Sequence, residues 1–336
     1  MNFKIPNKFL DNKVILVTGG TGSFGKNFVK LIIKKYKGIK KIIIYSRDEL
    51  KQFEMANSFN HSEINKLRFF LGDVRDKDRL KTALEDVDYV VHAAALKQVP
   101  SSEYNPFETI KTNIIGSQNL IESCLDKNIK KVLALSTDKA SSPANLYGAT
   151  KLCADKLFVA ANNMVGNKKI SFSVLRYGNV FGSRGSVAQT FLDSQKKNLF
   201  TITDKEMTRF HITIEQAVNL ALWSLNISFG DEIIIPKLPS YRILDLVKSC
   251  SPNPKTKIIG IRPGEKIHEE LISESDSLNT LEAKDFYLII NNKNLALKKY
   301  YKNKFGCKSV AKSFSYTSGR NTKFMTVKEL KKLFKF

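Results

Sequence analysis

Over the first half of the chain, short apolar runs rich in Val and Ile alternate with longer stretches whose apolar residues recur at helical spacing. Lys13–Thr18, Lys41–Tyr45, Leu67–Leu71, Asp88–Ala93, Val132–Ser136 and Phe172–Leu175 read as strands of a covered sheet. Between them, Asn27–Tyr36, Glu49–Phe59, Arg79–Leu84, Pro106–Lys127 and Tyr147–Asn162 read as helices. Strand and helix in turn imply right-handed βαβ crossovers, and so an α/β fold built on a doubly wound parallel sheet. Beyond about residue 180 the alternation breaks down, and Pro236, Pro239, Pro252, Pro254 and Pro263 punctuate the chain. The pattern therefore divides into a first domain, 1–180, and a smaller mixed lobe, 181–336, interleaved with the sheet.

The first strand runs into Gly19-Gly20-Thr21-Gly22-Ser23-Phe24-Gly25, and a helix follows. Gly19 permits a tight turn, Gly22 lets the backbone approach a pyrophosphate, and Gly25 allows close helix–strand packing. The helix N-terminus offers free N–H groups to the anion. Strand, glycines and helix in this order predict a dinucleotide-binding Rossmann domain. The end of the second strand, Tyr45-Ser46-Arg47, lacks the carboxylate that would hold the ribose diol of NAD. An arginine beside a hydroxyl suits a 2′-phosphate, so the expected cofactor is NADP. Asp48 competes with that reading, since Arg47 could instead pair with Asp48 or Glu49. Asp73 and Val74, after the third strand, fall beside the adenine. Ala93 and Ala94, after the fourth, fall at the cofactor, and Lys97 follows where substrate must pass.

After the fifth strand stands Ser136-Thr137-Asp138-Lys139, and Tyr147-Gly-Ala-Thr-Lys151 opens the next helix. Tyr147 and Lys151, four apart, project from one helix face. A neighbouring ammonium and an oxidised nicotinamide both favour phenolate, which predicts a Tyr147 pKa lowered from about 10 toward working pH. Such a base takes a proton from a sugar hydroxyl as its hydride leaves.

With these residues in place the sequence resembles the extended short-chain dehydrogenase/reductase superfamily. Tyr45–Glu54, Ser136–Ala140, Asn145–Leu152, Arg176–Asn179, Gly182–Ser186, Met207–Phe210 and Ile259–Lys266 resemble the soluble UDP-N-acetylglucosamine 4,6-dehydratases, above all the 5-inverting enzymes of pseudaminic acid biosynthesis. The likeness runs from about residue 10 to 290 and thins in the lysine-rich tail. It implies an NADP-dependent lyase that converts UDP-N-acetylglucosamine to a UDP-4-keto-6-deoxy-N-acetylhexosamine for surface glycans. It implies Lys139 as the base for H5 and Asp138 as the acid for the departing C6 hydroxyl, beside Thr137. Lys139 must then be neutral and Asp138 protonated when they act, a state that desolvation under a bound sugar favours. The likeness also places Asn179, Arg209 and Arg262 at the diphosphate and sugar, and Glu265 near the uridine ribose. Two arginines are a reasonable clamp for a diphosphate. A homo-oligomer through the helices around Asn113 and Tyr147 is implied in the same way. The chain departs from the family at Gln98, His211, Gln189 and Phe181, where His, Trp, Pro and a smaller aliphatic are usual. A 5-retaining dehydratase would share Asp138-Lys139, and Tyr147 favours the inverting kind by resemblance. A UDP-hexosamine 4-epimerase needs hydride removal and return at C4 alone and gives that pair no task.

Composition adds one oddity. The 336 residues carry 55 Lys+Arg against 32 Asp+Glu, a net charge of +23. Such a balance attracts nucleic acid, anionic lipid and phosphorylated ligands. Yet 45 of the basic residues are Lys and 10 are Arg, whereas specific readers lean on Arg. The excess reads as a solvated surface, and no nucleic-acid partner is expected. The tail, 291–336, concentrates 13 Lys+Arg against one acid, Glu329. No uncharged apolar run approaches the roughly 18 residues of a membrane span, so no stable membrane insertion is expected. Met1–Lys13 shows no leader pattern. Cys124, Cys153, Cys250 and Cys307 form no Cys-x-x-Cys pair, so no metal site and no disulfide scaffold are expected, and a reducing cytoplasm is.

Overall fold

In the computed structural model, residues 3–183, 187–194 and 198–334 are described. Strands β1 (Val14–Thr18), β2 (Lys41–Ser46), β3 (Leu67–Leu71), β4 (Tyr89–His92), β5 (Lys131–Thr137) and β6 (Ser171–Tyr177) run parallel in the order 3-2-1-4-5-6. Their residues are Val- and Ile-rich because helices cover both faces: every residue of β1 is buried. Register sets Leu16 beside Ile43 on one side and Val90 on the other. The sheet order reverses between β1 and β4, and ligands of such sheets bind in the crevice at that reversal.

The predicted helix Pro106–Lys127 is interrupted. It runs as Pro106–Ile110, a π-helical turn Lys111–Ile115, and Gly116–Leu125. Asn113, inside the wide turn, has its amide buried. The amide accepts the Leu96 N–H at 2.8 Å and donates to Leu96 O at 2.9 Å and to Thr150 Oγ1 at 3.0 Å. It thereby fixes the strand-end loop after β4 to the helix Leu146–Ala160. Apolar spacing does not register such a widened turn. The helix Val99–Tyr104, with Pro100 in its first turn, was also missed.

The second half contributes β7 (Asn179–Phe181), β8 (Leu199–Ile202), β9 (Thr208–Thr213), β10 (Glu232–Pro236), β11 (Ser240–Arg242), β12 (Lys255–Ile258), β13 (Glu270–Ile272), β14 (Thr280–Glu282), β15 (Phe286–Ile290), β16 (Lys308–Ser309) and β17 (Tyr316–Thr317). β10 pairs in parallel with β6, and β15, β14 and β16 continue antiparallel, giving a ten-stranded sheet. The other strands form small sheets, β11-β9-β7, β12-β8 and β13-β17. A second core gathers Phe191, Phe200, Ile202, Tyr241, Leu246 and Leu330 beneath these sheets.

The basic tail is built into this architecture. Tyr301 and Leu330 are fully buried, β16 edges the large sheet, and β17 pairs with β13. Glu329, its one acid, closes a capping box with Thr326 at the start of the helix Val327–Leu333. Such a cap is worth about 1 kcal/mol.

Candidate functional site

A cleft of ≈ 630 Å³ opens along the C-terminal ends of the parallel strands. The turn after β1 forms its floor: Gly19, Thr21, Gly22, Ser23, Phe24 and Gly25 all line it. Gly19 has φ +64, and a Cβ there would stand 2.9 Å from Ala93 O and Ala94 N, so no side chain fits. The helix Ser23–Lys35 starts at Gly22 with no side-chain cap, which leaves its first N–H groups for an anion. Ala93 and Ala94 face the cleft while donating their N–H groups to Thr18 Oγ1, each at 3.2 Å.

Ser46 and Arg47, at the end of β2, line the same cleft, as does Val74. The Arg47 guanidinium is half exposed and lies 3.4 Å from Asp73 Oδ2. Asp48 is engaged at the start of the next helix, where it accepts the Lys51 N–H at 2.9 Å. Asp73 sits behind Arg47 and is not among the residues that line the cleft. Arg75 binds its carboxylate at 2.7 Å, and Tyr45 Oη donates to its carbonyl at 2.8 Å.

The predicted reactive residues meet on the opposite wall. Thr137 ends β5, and Asp138 and Lys139 form a 3-10 turn after it. The helix Leu146–Ala160 packs so closely on this turn that a Cβ at Gly148 would stand 2.2 Å from Lys139 O. That approach brings Tyr147 and Lys151 into the cleft beside Asp138. Lys151 is buried, and its ammonium donates to Leu135 O at 2.8 Å. Burial lowers its pKa, opposed by Asp155. In the protein alone, burial pushes the Tyr147 phenol up to about 12, against the lowering influence of Lys139 and a hydrogen bond with Thr137. Desolvation of the phenolate outweighs the Lys139 ammonium.

Asp138 is completely buried. Its Oδ1 accepts from Thr137 Oγ1 at 3.0 Å and from Lys139 Nζ at 3.1 Å, while Oδ2 has no partner. Burial raises its pKa. Lys139 Nζ also lies 3.2 Å from Glu269 Oε1. Burial disfavours its charge, but Asp138 and Glu269 overcome this and hold it above the usual lysine range. Without a bound sugar, the cluster therefore favours an ammonium at Lys139.

A second cavity, ≈ 460 Å³, is lined by Asn179, Arg209, Arg262 and Glu265. Lys139 and Asn179 line both cavities and mark where they meet. Arg209 is buried and held by the protein itself: Nη1 donates to Thr208 O at 2.7 Å and Ile267 O at 2.9 Å, and Nε lies 3.6 Å from Glu269. Arg262 is exposed on a loop whose Gly260 and Gly264 have positive φ. Lys97 and Gln98 occupy the exposed lip of the first cleft. His211 is buried, in register with Asn179, edge-on to Phe181 at 5.4 Å, with Nδ1 unpartnered. The Gln189 side chain, and 184–186 of the predicted Gly182–Ser186 motif, lie outside the described residues.

Glu269 was not foreseen. It was legible as an acid in an alternating pattern, Ile267-x-Glu269-x-Leu271, at a position whose strand neighbour Leu271 is fully buried. Among the described residues no group of His, Cys, Asp or Glu is arranged for a metal, and none of the four cysteines is in a disulfide.

A family model described as "Polysaccharide biosynthesis protein" matches residues 15–291. The chain is 53% identical over 326 residues to "UDP-N-acetylglucosamine 4,6-dehydratase (inverting)" of Campylobacter jejuni subsp. jejuni serotype O:23/36 (strain 81-176), covering 95% of this chain and 96% of that one. It is 40% identical to "UDP-glucose 4-epimerase" of Rickettsia bellii (strain OSU 85-389), covering 97% and 96%. The solved structure of Pen from Bacillus thuringiensis superposes with a TM-score of 0.87 at 37% identity, covering 97% of this chain and 98% of that chain. By these matches the chain belongs to the polysaccharide biosynthesis protein family.

Proposed function

We propose that this protein is an NADP-dependent UDP-N-acetylglucosamine 4,6-dehydratase that inverts C5 and supplies a UDP-4-keto-6-deoxy-N-acetylhexosamine for surface glycans of the pseudaminic acid type. The observation that carries the reading is the position of Asp138 and Lys139. They stand beside Tyr147, where the cavity fit for a dinucleotide meets the cavity fit for a nucleotide sugar. The 53% identity to the Campylobacter dehydratase supports the same reaction.

The first cleft suits a nicotinamide dinucleotide: a glycine-rich turn and an uncapped helix start accept the pyrophosphate. Arg47, beside Ser46, offers the 2′-phosphate of NADP its cation. When bound, this cofactor would supply the hydride acceptor for C4 and the hydride that C6 receives. Tyr147 Oη takes the proton of the C4 hydroxyl. Its phenol, at about 12 in the protein alone even with Lys139 near it, would be brought down by the positive charge of an oxidised nicotinamide. Lys151 orients it from the next helical turn. Oxidation at C4 makes H5 acidic, and Lys139 removes it as a neutral amine, its ammonium proton having passed to solvent as the bound sugar desolvates it. Asp138 protonates the leaving C6 hydroxyl. Asn179, Arg209 and Arg262 receive the sugar and diphosphate, Glu265 the ribose, and Lys97 guards the entrance. Residues 1–180 thus supply the cofactor cleft and the catalytic residues, and 181–336 most of the nucleotide-sugar contacts.

The proposed homo-oligomer uses the face around the π-helical turn, where Tyr104, Phe107 and Ile115 are exposed. No described helix is long and apolar enough to cross a membrane, and the proposed site of action is the cytoplasm. Incubation with UDP-N-acetylglucosamine, followed by proton NMR, tests the function. A new C6 methyl signal is the expected result. A galacto-configured sugar without a methyl group would mean 4-epimerisation and overturn it.

A further inference from the structure

Among the buried side-chain atoms without a partner are Asp138 Oδ2 and Glu269 Oε2. Both belong to carboxylates that share a single lysine. Lys139 Nζ lies 3.1 Å from Asp138 and 3.2 Å from Glu269. We infer that Glu269 is a positioning residue that keeps Asp138 protonated, by claiming the charge of Lys139 and leaving its neighbour as the acid. The inference rests on the dehydratase reading for its purpose, but not for its electrostatics.

One ammonium between two desolvated carboxylates neutralises one of them; the other lowers its energy by binding a proton. The surroundings decide which. Glu269 has Arg209 at 3.6 Å as a second cation, with Lys266 also near it. Asp138 is the more deeply enclosed, has Lys139 as its one close ion-pair partner among the described residues, and is bordered by the neutral phenols of Tyr147 and Tyr241. Glu269 therefore keeps its charge, and Asp138 takes the proton. Burial and Glu269 raise the Asp138 pKa, whereas Lys139 and Arg209 outweigh burial at Glu269 and lower its own.

The arrangement also orients the acid. Oδ1 is occupied by Thr137 and Lys139, so the proton belongs on Oδ2. That atom points toward Gly178 on the cleft wall, where a Cβ would stand 3.3 Å from it.

Glu269 itself is fixed from both sides. Lys266 Nζ donates to Ser141 O at 2.7 Å, Ser141 Oγ donates to Glu270 at 3.1 Å, and Arg176 donates to Leu271 O at 3.0 Å. The segment that carries Arg262 is thus bolted onto the turn that carries Asp138.

The test compares wild type, Glu269→Gln and Asp138→Asn. Infrared difference spectra of the cofactor-free protein across pH 6 to 9 read the carbonyl band of a protonated carboxyl. The band lost in Asp138→Asn is assigned to Asp138. In wild type it is expected at neutral pH and above. In Glu269→Gln, where Lys139 pairs with Asp138 alone, its midpoint is expected to fall by about 1–3 pH units. The alkaline limb of methyl formation should move down with it, which loss of a merely structural contact would not cause. Absence of the Asp138 band at neutral pH in wild type would overturn the inference even if Glu269→Gln failed to fold. An unchanged midpoint in Glu269→Gln would overturn it too. Should wild type form no methyl product, the dehydratase reading fails, while the infrared result still decides the role of Glu269.

Discussion

Replacing Lys139 with alanine removes the cation that two buried carboxylates share, and its effects on stability and on chemistry can be read separately. Losing one partner of a buried ion pair costs about 3–5 kcal/mol when the remaining charge has no escape. Here neither carboxylate is stranded. Glu269 keeps Arg209 at 3.6 Å, and Asp138 already holds its proton. The expected loss is therefore about 1–3 kcal/mol near neutral pH. Its pH dependence follows from the sign of the shift. Lys139 helps to hold the Glu269 carboxyl below its unfolded pKa, and its loss lets that carboxyl rise. A carboxyl lowered in this way contributes stability above its unfolded pKa and loses it as pH falls through the folded value. The deficit against wild type should be greatest near pH 7 and shrink as pH falls toward 4, by up to about 1.4 kcal/mol per pH unit. Urea denaturation at both pH values measures it. In the same variant Tyr147 can still oxidise C4, so a 4-keto, 6-hydroxy sugar should accumulate together with NADPH, and deuterium exchange at C5 should stop. Near-normal methyl formation in Lys139→Ala would refute the catalytic assignment. A deficit that shrinks as pH rises would refute the electrostatic one.

Three further outcomes follow from the same structure. Arg47→Asp should weaken NADP far more than NAD, by about tenfold or more for a half-exposed charge contact, measured by titrating each cofactor; equal losses would refute the 2′-phosphate role. Tyr147→Phe should lower turnover by about 10²–10⁴-fold and abolish NADPH formation as well, unlike Lys139→Ala. Burial lifts the Glu232 carboxyl to about 7, despite hydrogen bonds from Ser173 Oγ at 2.8 Å and the Phe229 and Gly230 N–H groups. Its stabilising contribution is lost as pH rises through that value, so the melting temperature of wild type should fall from pH 6 to 8, and Glu232→Gln should flatten the fall.

The large sheet was legible because parallel strands covered on both faces must be apolar throughout, and Val14–Thr18 or Lys41–Ser46 admit little else. The glycine turn was legible because Gly19 has no room for a Cβ. What sequence periodicity could not convey was long-range pairing. β10, β14, β15 and β16 are short strands separated by helices and turns, and their place in the large sheet is set by partners distant in the chain. The π-helical turn escaped notice because its cause, the Asn113 amide bound to Leu96 and Thr150, is a tertiary contact. Charge states were the least legible. Tyr147 and Lys151 do share a helix face, yet burial sets the phenol's pKa in the protein alone. The partner that fixes Lys139 is Glu269, 130 residues away and outside every motif that pointed to the site.

The most direct test of the proposed reaction is a single incubation of the NADP-loaded protein with UDP-N-acetylglucosamine in deuterated water, followed by NMR. The account predicts a 4-keto-6-deoxy sugar with a C6 methyl group, deuterium at C5 in the inverted configuration, and no net build-up of NADPH. A sugar that keeps its C6 hydroxyl and carries no deuterium at C5 would contradict it.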